Sequence, residues 1–391
     1  MRSRRGAEWR GPLFPDNRTV TFPDPMQRAL ALARRGIGLT EPNPRVGCVL
    51  LAPDGSVLAE GHTDVAGGPH AEIAALRAAQ AAGRDVRGAT AFVTLEPCSH
   101  HGRTGPCCDA LVAAGIARVV ASCVDPNPLV GGRGFERLRA AGVQVEVGPG
   151  AAESRELNIG FFSRMARGTP WVRMKAAASL DGRTALEDGT SQWITGEAAR
   201  ADGHAWRARA AAVLTGIGTV LQDDPQLDVR HVATPRQPDC VLVDSRLEVP
   251  LDAKLLRPKR RLWIYTAAAD HPKREQLQAL GAEVITMADP GGKVDLAAML
   301  RDLARREVNE LHVEAGFKLN GSLVREGLVD ELLVYLAPSL VGLGQGMVNI
   351  GPLKALSDTV HLQFVSTDRI GDDLRIVARV RGRDSFLLSA A

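Results

Sequence analysis

Zinc-binding residue types cluster in the first third of the sequence: His70 in His70-Ala71-Glu72, Cys98 directly after Pro97, and Cys107 directly after Pro106. One imidazole and two thiolates fill three tetrahedral positions and leave the fourth to water, which is what a catalytic zinc requires. Two thiolates cancel the charge of the ion, so that water is less acidic than in a three-histidine site. A neighbouring carboxylate must then take its proton, and Glu72 stands two residues from His70. Cys108, His100 and His101 adjoin the same segment, and spacing alone does not choose between them and the named ligands. The plainer reading of such a cluster is a structural zinc, or buried thiols beside surface histidines. Three ligand types with a carboxylate beside them weigh against it.

The second half carries a different kind of signal. Leu311-His312-Val313-Glu314-Ala315-Gly316 followed by Phe317-Lys318-Leu319-Asn320-Gly321-Ser322 reads as strand, glycine-bearing turn and helix. A glycine there lets the backbone approach a pyrophosphate, and the first turn of a helix offers it free N–H groups. Gly216-Ile217-Gly218-Thr219 after the run Ala212–Thr215 is a second turn of the same kind. Neither has the spacing of a P-loop or of G-x-G-x-x-G, and as isolated motifs both are equally ordinary αβ turns.

These side chains need elements to hold them. Arg45–Leu51 and Val57–Gly61, joined through Pro53-Asp54-Gly55, predict a hairpin. Helix His70–Ala82, strand Ala89–Leu95, helix Cys107–Ala114, strand Ala117–Val124, helix Gly134–Ala141 and strand Val143–Val147 follow. The alternation argues for a three-layer α/β domain. Both cysteine and histidine segments open helices, whose N-termini favour thiolates. After Pro149-Gly150, Ala151–Ala166 predicts a connecting helix, and Gly168-Thr169-Pro170 opens a second αβ series. Its strands are predicted at Val172–Ala178, Ala212–Thr215, Val241–Val243, Leu262–Tyr265, Glu283–Thr286, Glu310–Val313 and Glu331–Ala337. No segment of the first half recurs, so the chain is a fusion and not a duplication.

Composition excludes several classes. The 391 residues suit about two domains. Lysine and arginine number 48 against 45 acidic residues, and aromatics are 4%. That is too mild a charge, with too few stacking rings, for a nucleic-acid binder. No apolar run reaches the length of a membrane span, and no apolar stretch follows the basic start Met1-Arg2-Ser3-Arg4-Arg5. The expected location is the cytoplasm. Six cysteines in so long a chain are not a disulfide framework, and in a reducing compartment their cluster points to metal.

The order H-x-E … P-C … C resembles the zinc-dependent deaminase superfamily. Here eight residues separate the two cysteines, more than in the short form of that signature. The extended segment Thr94-Leu-Glu-Pro-Cys-Ser-His-His-Gly-Arg-Thr-Gly-Pro-Cys107 is similar to the deaminase half of the bifunctional riboflavin-biosynthesis deaminase/reductases. So are Pro42-Asn43-Pro-Arg-Val-Gly47 and Asp125-Pro-Asn-Pro-Leu-Val130, while Gly105 stands where that family usually has proline. Lys175-Ala-Ala-Ala-Ser-Leu-Asp-Gly-Arg183, Ser191-Gln-Trp-Ile-Thr195, Gly218-Thr-Val-Leu-Gln-Asp-Asp-Pro225 and Val313-Glu-Ala-Gly316 follow the order of its reductase half. The likeness runs from about Asp24 to about Arg383 and leaves residues 1–23 outside.

The resemblance implies an α/β fold, a three-layer cytidine-deaminase-like domain fused to a dihydrofolate-reductase-like domain. Its divisions fall at 1–23 (N-terminal extension), 24–150 (deaminase), 151–168 (connecting helix) and 169–386 (reductase). It implies hydrolytic deamination of a diaminopyrimidinone phosphoribosylamine, then reduction of its ribosyl chain to ribityl with NADPH. It favours Cys107 as the second thiolate, with His70, Cys98 and zinc, and makes Glu72 catalytic. The implied cofactor contacts are Ala177, Trp193, Thr219, Asp223, Ser245 and the turn Gly316, Phe317, Lys318, Leu319, Asn320, Gly321 and Ser322. The implied substrate contacts are Ser191, Arg207, Leu227, Arg230, Glu314, Asn43 and Lys175, the two arginines suiting a phosphate. Arg246 is placed to meet the 2′-phosphate of NADPH. The partners implied are small molecules, with neither nucleic acid nor membrane, and a homo-oligomer is compatible with it. The rivals are a nucleic-acid deaminase with an accessory domain and a nucleotide-binding protein with a structural zinc.

Overall fold

The computed structural model describes residues 24–100 and 105–387. The N-terminal extension and His101 lie outside the described residues. The described residues divide into two compact units: 24–168 with the turn Ser385–Leu387, and Thr169–Asp384.

The first unit holds α1 (Pro25–Arg34), β1 (Gly47–Leu51), β2 (Val57–His62), α2 (Ala71–Ala81), β3 (Thr90–Val93), α3 (Cys107–Ala113), β4 (Arg118–Ala121), α4 (Arg133–Ala140) and β5 (Gln144–Val147). Its sheet runs β2-β1-β3-β4-β5, antiparallel across the first three strands and parallel across the last three. Cys48 lies opposite Gly61, so Gly47 and Gly61 face opposite sides of the sheet. A Cβ on Gly47 would stand 1.9 Å from the Ala29 carbonyl, and one on Gly61 2.4 Å from that of Ala71. These two bare positions let α1 press on one face and α2 on the other, which makes the three layers. The apolar face of α1 (Met26, Ala29, Leu30) closes a core with Val49 and Val120.

Residues 151–168, predicted as one helix, form two: α5 (Ala151–Leu157) and α6 (Ile159–Arg167). The break has a physical cause at Asn158. Its side chain accepts from Arg45 N–H at 2.7 Å and donates to the Arg45 carbonyl at 3.0 Å, which turns the chain toward the segment ahead of β1.

The second unit comprises β6 (Trp171–Ser179), β7 (Arg183–Ala185), α7 (Glu197–Arg209), β8 (Ala212–Gly216), α8 (Ile217–Asp223), β9 (Asp239–Val243), β10 (Leu262–Thr266), α9 (Lys273–Ala279), β11 (Ala282–Thr286), α10 (Leu296–Arg305), β12 (Glu310–Val313), α11 (Phe317–Arg325), β13 (Glu331–Ala337), β14 (Gln345–Gly346), β15 (Leu362–Ile370) and β16 (Asp373–Val380). All seven strands predicted in this half are present. They form the parallel part of a nine-stranded sheet ordered β11-β10-β9-β8-β12-β6-β13-β16-β15. Alternate residues of one strand enter different cores: Leu214 joins Met174, Trp263, Met299 and Leu303, whereas Val213 joins Cys240, Ile264 and Leu277. Burial on both faces is why these strands read as unbroken apolar runs. The antiparallel pair β15–β16 was not predicted, because β15 is an edge strand with little of it buried.

At the N-terminal ends of β6, β12 and β13 lies a buried charge network. Arg173 reaches Glu310 at 2.9 Å and Glu331 at 2.5 Å; Arg209 meets Glu310 at 2.7 Å, and Arg379 meets Glu331 at 3.4 Å. The Trp206 ring covers Arg173, 4.5 Å from its guanidinium.

Candidate functional site

In the first unit, three elements converge. His70 is the N-cap of α2, Cys107 is the first residue of α3, and Cys98 lies in the loop after β3. The His70 Nδ1 lies 3.6 Å from Cys98 Sγ and 3.4 Å from Cys107 Sγ, and the three donor atoms all fall within 4.8 Å of one another. Zn–S and Zn–N bonds of about 2.3 and 2.0–2.1 Å, at tetrahedral angles, require an N···S separation of roughly 3.6 Å. The residues fit zinc. The Cys107 N–H, at the start of α3, donates to Cys98 Sγ at 3.3 Å, and the hydrogen bond from the Cys107 thiol holds the Cys98 thiol down to about 4. The same pairing, with burial, pushes the Cys107 thiol up. Cys108 points elsewhere, to Asp109 at 3.7 Å, and neither it nor His100 joins the group among the described residues.

Glu72 sits in the first turn of α2 and is buried. Burial, reinforced by Cys98, pushes its carboxyl up to about 7. Its carboxyl interacts with the Cys107 thiol, which puts a proton carrier at the edge of the ligand cluster. Glu96, which sequence reasoning passed over, braces the site from behind. Its carboxylate accepts from the N–H groups of Asp125 at 3.1 Å, Gly132 at 2.9 Å and Gly134 at 2.8 Å. Asn43 belongs to this unit too, in a turn ahead of β1 closed by Thr40.

In the second unit a cleft of about 700 Å³ opens where β12, β8 and β6 end. Crevices at the carboxyl ends of parallel strands are the usual ligand sites of such sheets. Of the expected cofactor contacts, Ala177, Trp193, Thr219, Asp223, Gly316, Phe317 and Asn320 line it. Of the expected substrate contacts, Lys175, Ser191, Arg207, Leu227, Arg230 and Glu314 do. Lys318, Leu319, Gly321, Ser322 and Ser245 are not in its wall.

The reason lies in α11, which begins at Phe317: the segment predicted as a turn to Ser322 is already helix, with Gly316 as its N-cap. Only its first turn presents free N–H groups. A Cβ on Gly316 would have no neighbour nearer than Thr219 Oγ1 at 3.7 Å, so that position is an open cradle and fits a pyrophosphate. A Cβ on Gly321 would stand 1.9 Å from the Asn349 carbonyl, so this glycine serves packing. Leu319 packs against Gly216. Ser245 accepts from Val294 N–H at 3.2 Å, joining the end of β9 to the loop ahead of α10. Arg246 is largely exposed, 3.3 Å from Glu248.

Electrostatics single out one corner of the cleft. Arg207 binds Glu314 through both nitrogens of its fork, at 2.7 and 2.9 Å, and donates its third nitrogen to the Asp228 carbonyl. Burial works against the Glu314 charge, but Arg207 and Lys175 hold its carboxyl well below the usual range. Burial pushes the Lys175 amine down. The sequence reading gives both arginines to phosphate; in the fold both have carboxylate partners, Arg207 pairing with Glu314 in a largely buried contact and Arg230 pairing with Asp228 while its own side chain stays half exposed. Thr184, Gln222, Lys254 and Met347 also line the cleft. Gln222 falls inside the Gly218–Pro225 motif, whereas Thr184, Lys254 and Met347 lie outside every quoted motif and no signal in the sequence marked them.

Two family models match the chain. Residues 23–123 match the cytidine and deoxycytidylate deaminase zinc-binding region, and residues 170–376 match the RibD C-terminal domain. The riboflavin biosynthesis protein RibD of Escherichia coli K12 is 44% identical over 362 residues, covering 89% of this chain and 96% of that protein. That of Aquifex aeolicus is 39% identical over 351 residues, covering 90% and 96%. Among solved structures, Acinetobacter baumannii RibD superposes with a TM-score of 0.82 at 41% identity, covering 91% of this chain and 97% of that one. A Thermotoga maritima diaminohydroxyphosphoribosylaminopyrimidine deaminase/5-amino-6-(5-phosphoribosylamino)uracil reductase does so at 0.82 and 32%, covering 91% and 97%. A zinc-dependent deaminase joined to a reductase in one polypeptide is therefore the class. Within that class the chain belongs to the RibD family, the bifunctional enzymes of riboflavin biosynthesis, and its cofactors are zinc and NADPH. Among the described residues no helix is long and apolar enough to cross a membrane.

Proposed function

We propose that His70, Cys98 and Cys107 hold the zinc ion and that Glu72 carries protons for the deamination. When bound, the ion supplies Lewis acidity toward water. Glu72 accepts a proton as the oxygen of that water adds to the amino-bearing ring carbon, and returns it to the nitrogen as the C–N bond breaks and ammonia leaves. The observation that carries this reading is the N···S spacing at His70, which matches tetrahedral ligation, with a buried carboxyl touching the same cluster.

In the reductase cleft, Gly316 and the first turn of α11 receive the cofactor pyrophosphate, with Thr219, Asp223, Ala177 and Trp193 around it. Lys175, Glu314, Ser191, Leu227 and Arg230 receive the pyrimidine substrate, Arg230 its phosphate. NADPH supplies a hydride when bound; the protein holds the ligands together and keeps water out. Arg207 fixes Glu314.

The test of the first site is a pair of variants. Glu72→Gln keeps zinc, loses about a hundredfold to ten-thousandfold in ammonia release, and still reduces already deaminated substrate. Cys98→Ser loses both metal and ammonia release. Full zinc and full deamination in Cys98→Ser would remove the assignment.

We also infer a cytoplasmic enzyme, because thiolate ligands persist in a reducing compartment. Two copies are inferred to associate along β15. This nine-residue edge strand exposes Phe364 (71%) and Val365 (39%), with Leu374 (40%) beside it on β16. A long edge strand with unpaired backbone groups and exposed apolar side chains is a template for pairing.

A further inference from the structure

Residues 224–230 belong to neither helix nor strand, yet Gln226, Leu227 and Arg230 form one wall of the reductase cleft. Without a ladder, the backbone groups of such a segment need other partners. Side chains supply them, residue after residue. Arg260 donates to the carbonyls of Gln226 and Leu227, the latter at 2.6 Å. Arg207 donates to that of Asp228. Gln237 takes both groups of Val229, accepting from its N–H at 2.7 Å and donating to its carbonyl at 2.9 Å. The Arg230 N–H donates to Nδ1 of His204 at 3.3 Å.

His204, on α7, is 6% exposed and meets the His231 ring edge to face at 4.5 Å. Burial first, then the Arg207 charge, pushes the imidazole down to about 3, so it stays neutral near pH 7. Its Nδ1 is then an acceptor, and the proton sits on Nε2.

We propose that His204 and Gln237 are positioning residues of the reductase: they touch no ligand, but set the 226–230 wall and thereby the affinity for the pyrimidine substrate. Leu227, with φ at 54°, sits in a conformation that the segment alone would not favour, so a clamp on both sides of it has something to hold. The proposal rests on the reading that this wall receives the substrate.

The experiment measures reduction of the deaminated phosphoribosylamino-pyrimidine by four variants of the full-length, zinc-loaded chain. His204→Leu keeps the bulk and removes the acceptor. His204→Asn places Oδ1 where Nδ1 was. Gln237→Met removes both clamps on Val229, and Arg230→Ala tests the wall itself. A lost hydrogen bond of ordinary strength corresponds to about two- to tenfold. His204→Leu and Gln237→Met are expected to raise the KM for the pyrimidine by that factor, with kcat and the KM for NADPH unchanged. His204→Asn restores the wild-type KM, which a packing role would not allow, since leucine is the better filler of a buried site. Amide exchange gives a second reading, on wild-type protein: the Val229 and Arg230 amides are protected although no ladder holds them. If Arg230→Ala raises the KM while His204→Leu and Gln237→Met do not, the clamp is overturned and the wall stands. If Arg230→Ala leaves the KM unchanged, the wall and the clamp fall together. Free exchange of the Arg230 amide, or His204→Asn behaving as His204→Leu does, also overturns it.

Discussion

Gly316 and Gly321 sit five residues apart around the start of α11, and the structure gives them opposite duties. In Gly321→Ala the new methyl would lie 1.9 Å from the Asn349 carbonyl, where ordinary contact begins near 3.4 Å. Helix α11 or the segment 347–349 must retreat by about 1.5 Å, the difference between those two distances. Overpacking of that kind costs about 1–3 kcal/mol. An approach of 1.9 Å to a backbone carbonyl belongs at the upper end of that range, and alanine in a helix returns at most about 1 kcal/mol, so the net loss is about 2 kcal/mol. For a unit of this size, each kcal/mol lowers Tm by about 2–4 °C. Gly321→Ala is therefore expected to melt about 4–8 °C early in the reductase transition. Gly316→Ala meets nothing within 3.7 Å. It keeps its Tm, but its methyl occupies the approach to the first-turn N–H groups. Losing a charge-assisted contact there raises the KM for NADPH about ten- to a hundredfold. Scanning calorimetry and NADPH titration of the two variants check both halves. An unchanged Tm in Gly321→Ala together with weakened NADPH would refute the reasoning, because it would make Gly321 a ligand contact and not a packing glycine.

Glu314→Gln strips a buried guanidinium of its carboxylate and should destabilise the reductase unit by about 3–5 kcal/mol. Because Arg207 and Lys175 hold the Glu314 carboxyl below its unfolded value of about 4.3, its contribution is complete above that pH and is lost as pH falls below it. Urea melts from pH 7 down to 3.5 should accordingly show a shallower acid slope in the variant; an identical slope would count against the depressed pKa. Phe364→Lys charges the β15 edge and should convert a dimer to a monomer in light scattering. A mass that does not change would remove β15 as the interface.

The sequence was legible wherever burial was regular. The central parallel strands of the second unit are apolar on both faces, and the residue types around His70, Glu72, Cys98 and Cys107 point to zinc without any fold, although spacing alone leaves Cys108, His100 and His101 open as ligands. Long-range demands were illegible. Asn158 splits a helix because its amide is needed at Arg45, 113 residues away, and nothing local announces that. The β15–β16 pair hides because an exposed edge shows little alternation. Gly321 looks like a cofactor glycine until its neighbour Asn349 is in view. Likewise Gln237 and Arg260 act on a wall to which they do not belong, and residue type alone cannot say so.

The charge network under the sheet bears on how the chain finds one sheet among many. Strands β6, β12 and β13 start at residues 171, 310 and 331, and no tight turn joins any pair of them to fix their alignment. Apolar runs such as Ala176–Ala178 and Leu332–Tyr335 would slide past one another with little loss of burial. A slip by one residue turns every side chain to the other face, and would carry Arg173 away from Glu310 and Glu331. Each buried ion left without its partner costs several kcal/mol, far more than the sliding gains. The network thus works as a lock with a single key position: it adds little to the depth of the native well, but walls off the neighbouring wells. Replacing the whole network, Arg173→Met, Arg209→Met and Arg379→Met with Glu310→Gln and Glu331→Gln, would keep the volume, leave no buried ion without its partner and open those wells, so that such a chain refolds to a mixture of alignments.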